Sequence, residues 1–277
     1  MNLALMRGKE KRQSGVWMLR LPSILFLVLI VIIPLMVIFQ DGFREGFSSF
    51  EYQVTLPIAR HAILLTLWTS ALMTIINAVM GLVTAYVLVR YEFPGKQLLN
   101  AIVDLPLAIP TLVTGIMLVI LYGPQESLGA FLIEMLNFRI VFAPPGIVLA
   151  LLFITFPFVV RTIQPILEEM DRSQELAAAT LGANPWRIFQ KIILPALILP
   201  TLGGSLLSFS RAVGEFGAVV IVAGNIPLRT QTAAVYVFSQ VESENRLGAS
   251  AVSIVLILIS FAVLLIANII HKYWGAH

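Results

Sequence analysis

The chain has no cysteine. This excludes a disulfide framework, thiolate metal sites, and nucleophilic or redox chemistry at sulfur. Histidine is nearly absent too, and His61, His271 and His277 are too scattered to form a metal cluster. Charge is scarce: Asp, Glu, Lys and Arg make up 12% of the residues, where a soluble domain carries roughly 25%. A formal net charge of +3 is too small to argue for a nucleic-acid partner. No nucleotide-binding loop is found, since Gly95-Lys96 is followed by Gln97 and lacks the earlier glycine of a P-loop. No nucleophile has a base at a recognisable spacing, so covalent catalysis has no candidate residues.

What fills the chain is apolar: 58% of its residues, for a mean hydropathy of +0.93. Runs near the ~20 residues that a membrane-crossing helix needs fall at about 19–39, 61–89, 98–122, 144–166, 196–223 and 247–271. The expected fold is therefore an all-α membrane protein with about six transmembrane helices. The first run is too long for the apolar region of a cleavable signal, and Phe39-Gln-Asp-Gly-Phe43 offers no small-residue cleavage site.

The placement of Lys and Arg gives the orientation. Twelve lie on one side: Arg7, Lys9, Lys11, Arg12, Arg20, Arg90, Lys96, Arg161, Arg172, Arg187, Lys191 and Lys272. Five lie on the other, Arg44, Arg60, Arg139, Arg229 and Arg246, while Arg211 falls within a span. The excess predicts that both termini and the long 167–195 connection are cytoplasmic. The chain then divides into a cytoplasmic tail at 1–18, a first helix and outer loop at 19–60, a five-helix core at 61–271 and a short cytoplasmic tail at 272–277. The outer connections, 40–58, 123–143 and 224–246, are too short to hold a substrate-binding domain, although Leu128–Leu136 can form an interfacial helix.

The 167–195 connection has a pattern of its own. Asp171 can cap a helix over 172–181, with Gln174 completing a capping box. Gly182 suits the left-handed stop at its end. Asn184-Pro185 then starts a second helix that runs to Pro195. The small Ala177-Ala178-Ala179 face permits close approach of a partner, but an ordinary interfacial amphipathic helix fits these residues equally well.

Charges inside spans are the second signal, because each costs at least a few kcal/mol. Arg211 and Glu215 stand i, i+4 apart and can pair. They read either as a neutralising structural pair or as Arg211 bordering an anion path that Glu215 tunes. Asp104 reads as structural, since a carboxylate repels anions. Pro106, Pro110, Pro157, Pro165, Gly203, Gly204, Gly214 and Gly217 cluster in the third to fifth spans, which makes those the irregular wall of a cavity. The first and last spans are smoother and read as lipid-facing.

The loop resembles the coupling loop of ABC-importer permeases, matching at Ala177-Ala178, Gly182, Ile192, Leu194 and Pro195. Further likeness lies in Asp104-Leu-Pro-Leu-Ala-Ile-Pro110-Thr, in Thr155-Phe-Pro-Phe-Val-Val-Arg161-Thr, and in Arg211-Ala-Val-Gly-Glu-Phe-Gly217 followed by Ala223-Gly-Asn-Ile-Pro227. Together these cover most of residues 60–271 and resemble the T-type permeases of sulfate/thiosulfate importers. The resemblance implies a type I ABC importer permease fold with a cytoplasmic coupling helix in a bacterial-type inner membrane. It implies no enzymatic activity and no cofactor in this chain, with ATP and Mg bound by a partner ATPase homodimer. It implies further partners: a sibling permease in a heterodimeric pore and an extracytoplasmic sulfate-binding protein. Carried onto this chain, Glu175, Ala177, Ala178, Gly182 and Ala183 would couple to the ATPase, and Pro110, Thr111, Arg211, Gly214 and Glu215 are candidates for the path or gate. One position departs: the family's loop glutamate falls at Leu176, and Glu175 stands one residue early. Molybdate or tungstate import, and an ion-coupled anion carrier using Asp104, Arg211 and Glu215, are the alternative readings.

Overall fold

The computed structural model describes residues 20–274, so the tail at 1–18 and residues 275–277 lie outside the described residues. No strand occurs among the described residues. Five helices are long and apolar enough to cross a membrane: α1 (Arg20–Gly42), α3 (Pro57–Arg90), α7 (Pro144–Glu169), α9 (Pro185–Val213) and α12 (Arg246–Trp274). A sixth crossing is a broken one, α4 (Lys96–Ala108) followed by α5 (Thr111–Tyr122), whose axes meet at 111°. Short helices complete the chain: α2 (Phe47–Thr55), α6 (Ser127–Leu136), α8 (Ser173–Thr180), α10 (Gly217–Ala223) and α11 (Ala233–Glu242). The expected span over 98–122 is thus present but broken at Pro110, one of the prolines that marked it as irregular. A residue before proline is pushed out of the helical region, and Ile109 is extended (φ −84°, ψ 128°), so α4 ends at Ala108. The expected fifth span at 196–223 is likewise two pieces, α9 and α10.

α7 is the axis of the bundle, with 61% of its most apolar window buried, while none of the window of α1 and 6% of that of α12 is covered. The exposed faces of α1 and α12 are apolar, as those of a helix in a membrane are. Burial in lipid gains little from the hydrophobic effect, so close packing through small residues holds the helices together. Gly81 of α3 seats Val159 of α7, and Gly204 of α9 lies against the Val159 backbone and Thr162. One apolar cluster (Leu65, Met73, Ile147, Leu151, Ala212, Val219) joins α3, α7, α9 and α10. A second (Leu88, Val103, Val160, Ile163, Leu167, Ile193, Leu197) fills the end nearer Arg90.

Prolines leave one more mark. Two π-helical turns interrupt otherwise α-helical spans, Val28–Ile32 in α1 and Phe189–Ile193 in α9. Each closes one residue before a proline, Pro34 and Pro195, with the Ile33 amide bonded to the Val28 carbonyl and the Leu194 amide to the Phe189 carbonyl. A proline ring clashes with the carbonyl four residues back, and widening the preceding turn relieves the clash without ending the helix. Pro195 is therefore not the helix end that its position suggests: α9 runs unbroken from Pro185 into the bundle.

The glycine environments make a paired prediction. A Cβ on Gly115 would lie 2.9 Å from the Ala218 carbonyl oxygen and 2.9 Å from Ile221 Cβ, whereas one on Gly203 meets nothing within 4 Å. Gly115→Ala should force α5 from α10 and destabilise by about 1–3 kcal/mol. Gly203→Ala should be neutral or stabilising by up to about 1 kcal/mol. Thermal unfolding of the purified membrane protein by fluorescence-detected gel filtration measures both.

Candidate functional site

The two broken spans meet at their breaks. A Cβ on Gly217 would fall 2.2 Å from Thr111 Oγ1 and 3.2 Å from the Leu112 amide nitrogen, so the start of α10 rests on the start of α5. At the second break the helix ends after Val213, and the amides of Gly214 and Glu215 both fall back on the Ala212 carbonyl. Glu215 does two things here. One carboxylate oxygen accepts from the Ala218 amide at 3.1 Å, restarting the helix, and the other pairs with Arg211 Nη1 at 2.7 Å. Its side chain is 2% exposed, while that of Arg211 is 38% exposed. Gly214 is open, with nothing within 4 Å of a Cβ. The arrangement thus brings Pro110, Thr111, Arg211, Gly214 and Glu215 to one seam, with Arg211 and Gly214 on its open side. Arg211 and Glu215 pair as their spacing predicts, although across a helix end rather than along one helix face.

A second charged group forms at Asp104, for which the sequence reading named no partner. Arg161 lies inside α7, not in the following connection, and bonds both carboxylate oxygens of Asp104 in α4, Nε at 2.7 Å and Nη2 at 2.5 Å. It also donates to the Asn100 carbonyl at 2.9 Å, to Asn100 Oδ1 at 2.8 Å and to Gln164 Oε1. This fork fastens α4, the first half of the broken span, to the bundle axis. Deeper in, Asn77 of α3 donates to Thr155 Oγ1 at 2.9 Å and to the Leu152 carbonyl at 3.3 Å, and Ser208 of α9 donates to the Thr155 carbonyl at 2.8 Å. These bonds join α3, α7 and α9 in the middle of the bundle. Asn77 and Arg161, polar residues inside long apolar runs, were the sequence signals for both groups.

The connection between α7 and α9 folds as helix, bend, helix. Gly182 is left-handed (φ 83°) after α8, and the Asn184 side chain accepts from the Arg187 amide at 2.8 Å with Pro185 in the first turn. The expected Asp171 cap is not formed: Arg172 stands at the N-cap of α8 with no side-chain cap bond, and Asp171 closes a local turn before it. It accepts from the Ser173 hydroxyl at 2.6 Å and the Ser173 amide at 2.9 Å, and Gln174 takes no part. The Ser173 hydroxyl bond, then the amide bond, hold the Asp171 carboxyl below the ordinary carboxylate range. The turn is therefore fully formed above that range and is lost as pH falls through the depressed value. Ala177 is exposed, and Ala178 and Ala183 are half-covered. Leu176 and Leu181 stand out into solvent. Glu175 instead turns inward to Arg90, at 2.6 Å.

Broken spans abutting at a charged seam, and a helical bend projecting from one end, define a polytopic membrane subunit of the type I ABC importer permease fold. The chain belongs to the binding-protein-dependent transport system inner membrane component family, whose model matches residues 77–275. A probable sulfate transport system permease protein cysT of Nephroselmis olivacea is 42% identical over 260 residues, covering 94% of this chain and 90% of that protein. The sulfate transport system permease protein CysT of Synechocystis sp. is 40% identical over 253 residues, covering 91% and 88%. Among solved structures, a bacterial alginate ABC transporter in complex with an alginate-bound periplasmic protein aligns with a TM-score of 0.80 at 16% identity, covering 96% of each chain. A chain of the MetNI methionine ABC transporter aligns at 0.59 and 15% identity, covering 78% of this chain and 95% of that one.

Removing one partner of the seam pair should cost more than removing both. Arg211→Leu strands the buried Glu215 carboxylate, a loss of about 3 kcal/mol, at the low end of the range for buried pairs because Arg211 is partly solvated. Arg211→Leu/Glu215→Gln keeps an acceptor for the Ala218 amide and should recover most of that stability. Thermal unfolding of the three proteins in one detergent checks the order.

Proposed function

We propose that this chain forms half of the transmembrane pore of an ATP-driven sulfate/thiosulfate importer. The observation that carries the reading is the seam, where two interrupted spans meet beside a half-solvated guanidinium. Interrupted helices in a bilayer need a cavity or protein around them, and a fixed cation there favours an oxyanion. The likeness to sulfate permeases supplies the substrate class.

In this reading two partner ATPases bind the 172–185 bend, with Ala177, Ala178, Gly182 and Ala183 at the contact and ATP and Mg held by those partners. Their closure moves the bend, and α4, α5, α9 and α10 change between inward- and outward-open arrangements about the seam. Moving such an equilibrium from 1:99 to 99:1 takes about 5.5 kcal/mol. A sibling permease completes the pore and an extracytoplasmic sulfate-binding protein delivers the substrate. Both termini are cytoplasmic, on the strength of the Lys and Arg asymmetry.

Reconstitution with these partners in liposomes tests the function: radiolabelled sulfate should accumulate only with ATP, competed by thiosulfate. Accumulation driven by an ion gradient without ATP would instead mean a secondary carrier. Within the same system Gly182→Leu forces a branched residue into a left-handed position that costs roughly 1–2 kcal/mol, and should leave ATP hydrolysis while lowering uptake. Topology is checked in whole cells. With no native cysteine, Gln174→Cys should resist an impermeant maleimide and Ser127→Cys should react.

A further inference from the structure

α8 buries no residue of its own, and its neighbour Leu181 is 88% exposed, so few contacts hold it to the bundle. The exception is an ion pair. Arg90 Nη2 donates to Glu175 Oε1 at 2.6 Å, with side chains only 6% and 16% exposed. The pair joins helix ends of opposite polarity. Arg90 lies in the last turn of α3, where unpaired carbonyls favour a cation, and Glu175 in the first turn of α8, where free amides favour an anion. Arg90 Nε is buried without a partner, so the guanidinium depends on Glu175 for compensation. The same turn of α3 reaches the other limb of the bend. Tyr86 meets Phe189 edge-on at 5.1 Å, Phe189 stacks on Trp186 at 5.7 Å, and Tyr91 closes against Tyr86 at 5.8 Å. The end of α3 thus holds α8 by charge and the start of α9 by aromatic contact.

We propose that Arg90 is a positioning residue for transport: motion imposed on the bend passes into α3 through the Arg90–Glu175 pair, beside the covalent route into α9. The proposal rests on the reading of 172–185 as the ATPase-driven segment. Onward linkage is present. Asn77 of α3 bonds Thr155 of α7, and Arg161 of α7 holds Asp104 of α4, which leads to the break at Pro110. In α8 the acidic side chain faces inward and Leu176, its neighbour, faces out at 65% exposure. The charge therefore serves the chain's own α3, and an apolar side chain is left to meet what lies outside.

The test uses the complex reconstituted in nanodiscs, with spin labels at Glu92→Cys and Gln174→Cys. The unmodified pair should give one narrow distance distribution, with and without ATP. Arg90→Ala should broaden it and lower sulfate uptake per ATP hydrolysed by about tenfold, while hydrolysis persists. Arg90→Lys, which keeps the charge, should fall between. The double reversal Arg90→Glu/Glu175→Arg should restore the narrow distribution and the coupling better than either reversal alone. An unchanged distribution and coupling in Arg90→Ala, or a double reversal no better than the singles, would overturn the proposal. Absence of sulfate uptake by the unmodified complex would defeat the substrate assignment and leave the distance measurement standing.

Discussion

A helix that stops within hydrocarbon leaves amides and carbonyls that no lipid can bond, and each orphan costs several kcal/mol. This chain stops twice, at Pro110 and at Gly214, and both stops are survivable because they are placed against each other. Thr111 and Gly217 are in contact, and Glu215 supplies the acceptor that restarts α10 while balancing Arg211. The rest of the bundle serves to keep that seam closed to lipid: α7 behind it, α9 entering it, and α4 fixed from the far side by Arg161. The pair that stabilises the seam thus also fixes a partly solvated guanidinium beside it. Any oxyanion that approached Arg211 would compete with Glu215 for the same guanidinium.

Much of this was legible from local chemistry. The apolar runs located the long spans because membrane thickness sets their length. The bend after α8 was legible because Gly182, Asn184 and Pro185 each act on their own backbone, and the observed φ and cap follow from that. Where the reading fell short, run length was too coarse or a distant contact had decided. Run length does not register the 111° bend inside 98–122, which Pro110 sets locally without interrupting the apolar stretch. The fork of Arg161 depends on Asp104, 57 residues away, and the inward turn of Glu175 depends on Arg90, 85 residues away. Of the candidate path residues, Arg211 and Glu215 were paired from spacing alone. That Thr111 would lie on Gly217 is a property of the folded chain.

The polar ties are spread along the bundle in a way that lipid solvation explains. Apolar side chains gain little by leaving lipid for protein, so they cannot dictate which helix meets which. Hydrogen-bonded groups can, because an unmatched one is costly. Asn77 with Thr155 sets α3 against α7 near the middle, Thr155 with Ser208 sets α7 against α9, and Arg90 with Glu175 sets α3 against α8 at one end. Between these points the contacts are small residues and aliphatic surfaces, as where Gly81 and Gly204 close on Val159. The pairing of the helices is thus specified at a few levels.

The π turn at Phe189–Ile193 has a consequence for phase. It inserts one residue beyond the α-helical count, and one residue corresponds to about 100° of rotation about the axis. Phe189, at the start of the turn, meets Tyr86 of α3, and Ile193, at its end, is buried with Leu197 in the core. The extra residue acts as a fixed offset between two cogs on one shaft, setting the phase of the stretch that carries Trp186 against that of the stretch whose Gly204 meshes with α7.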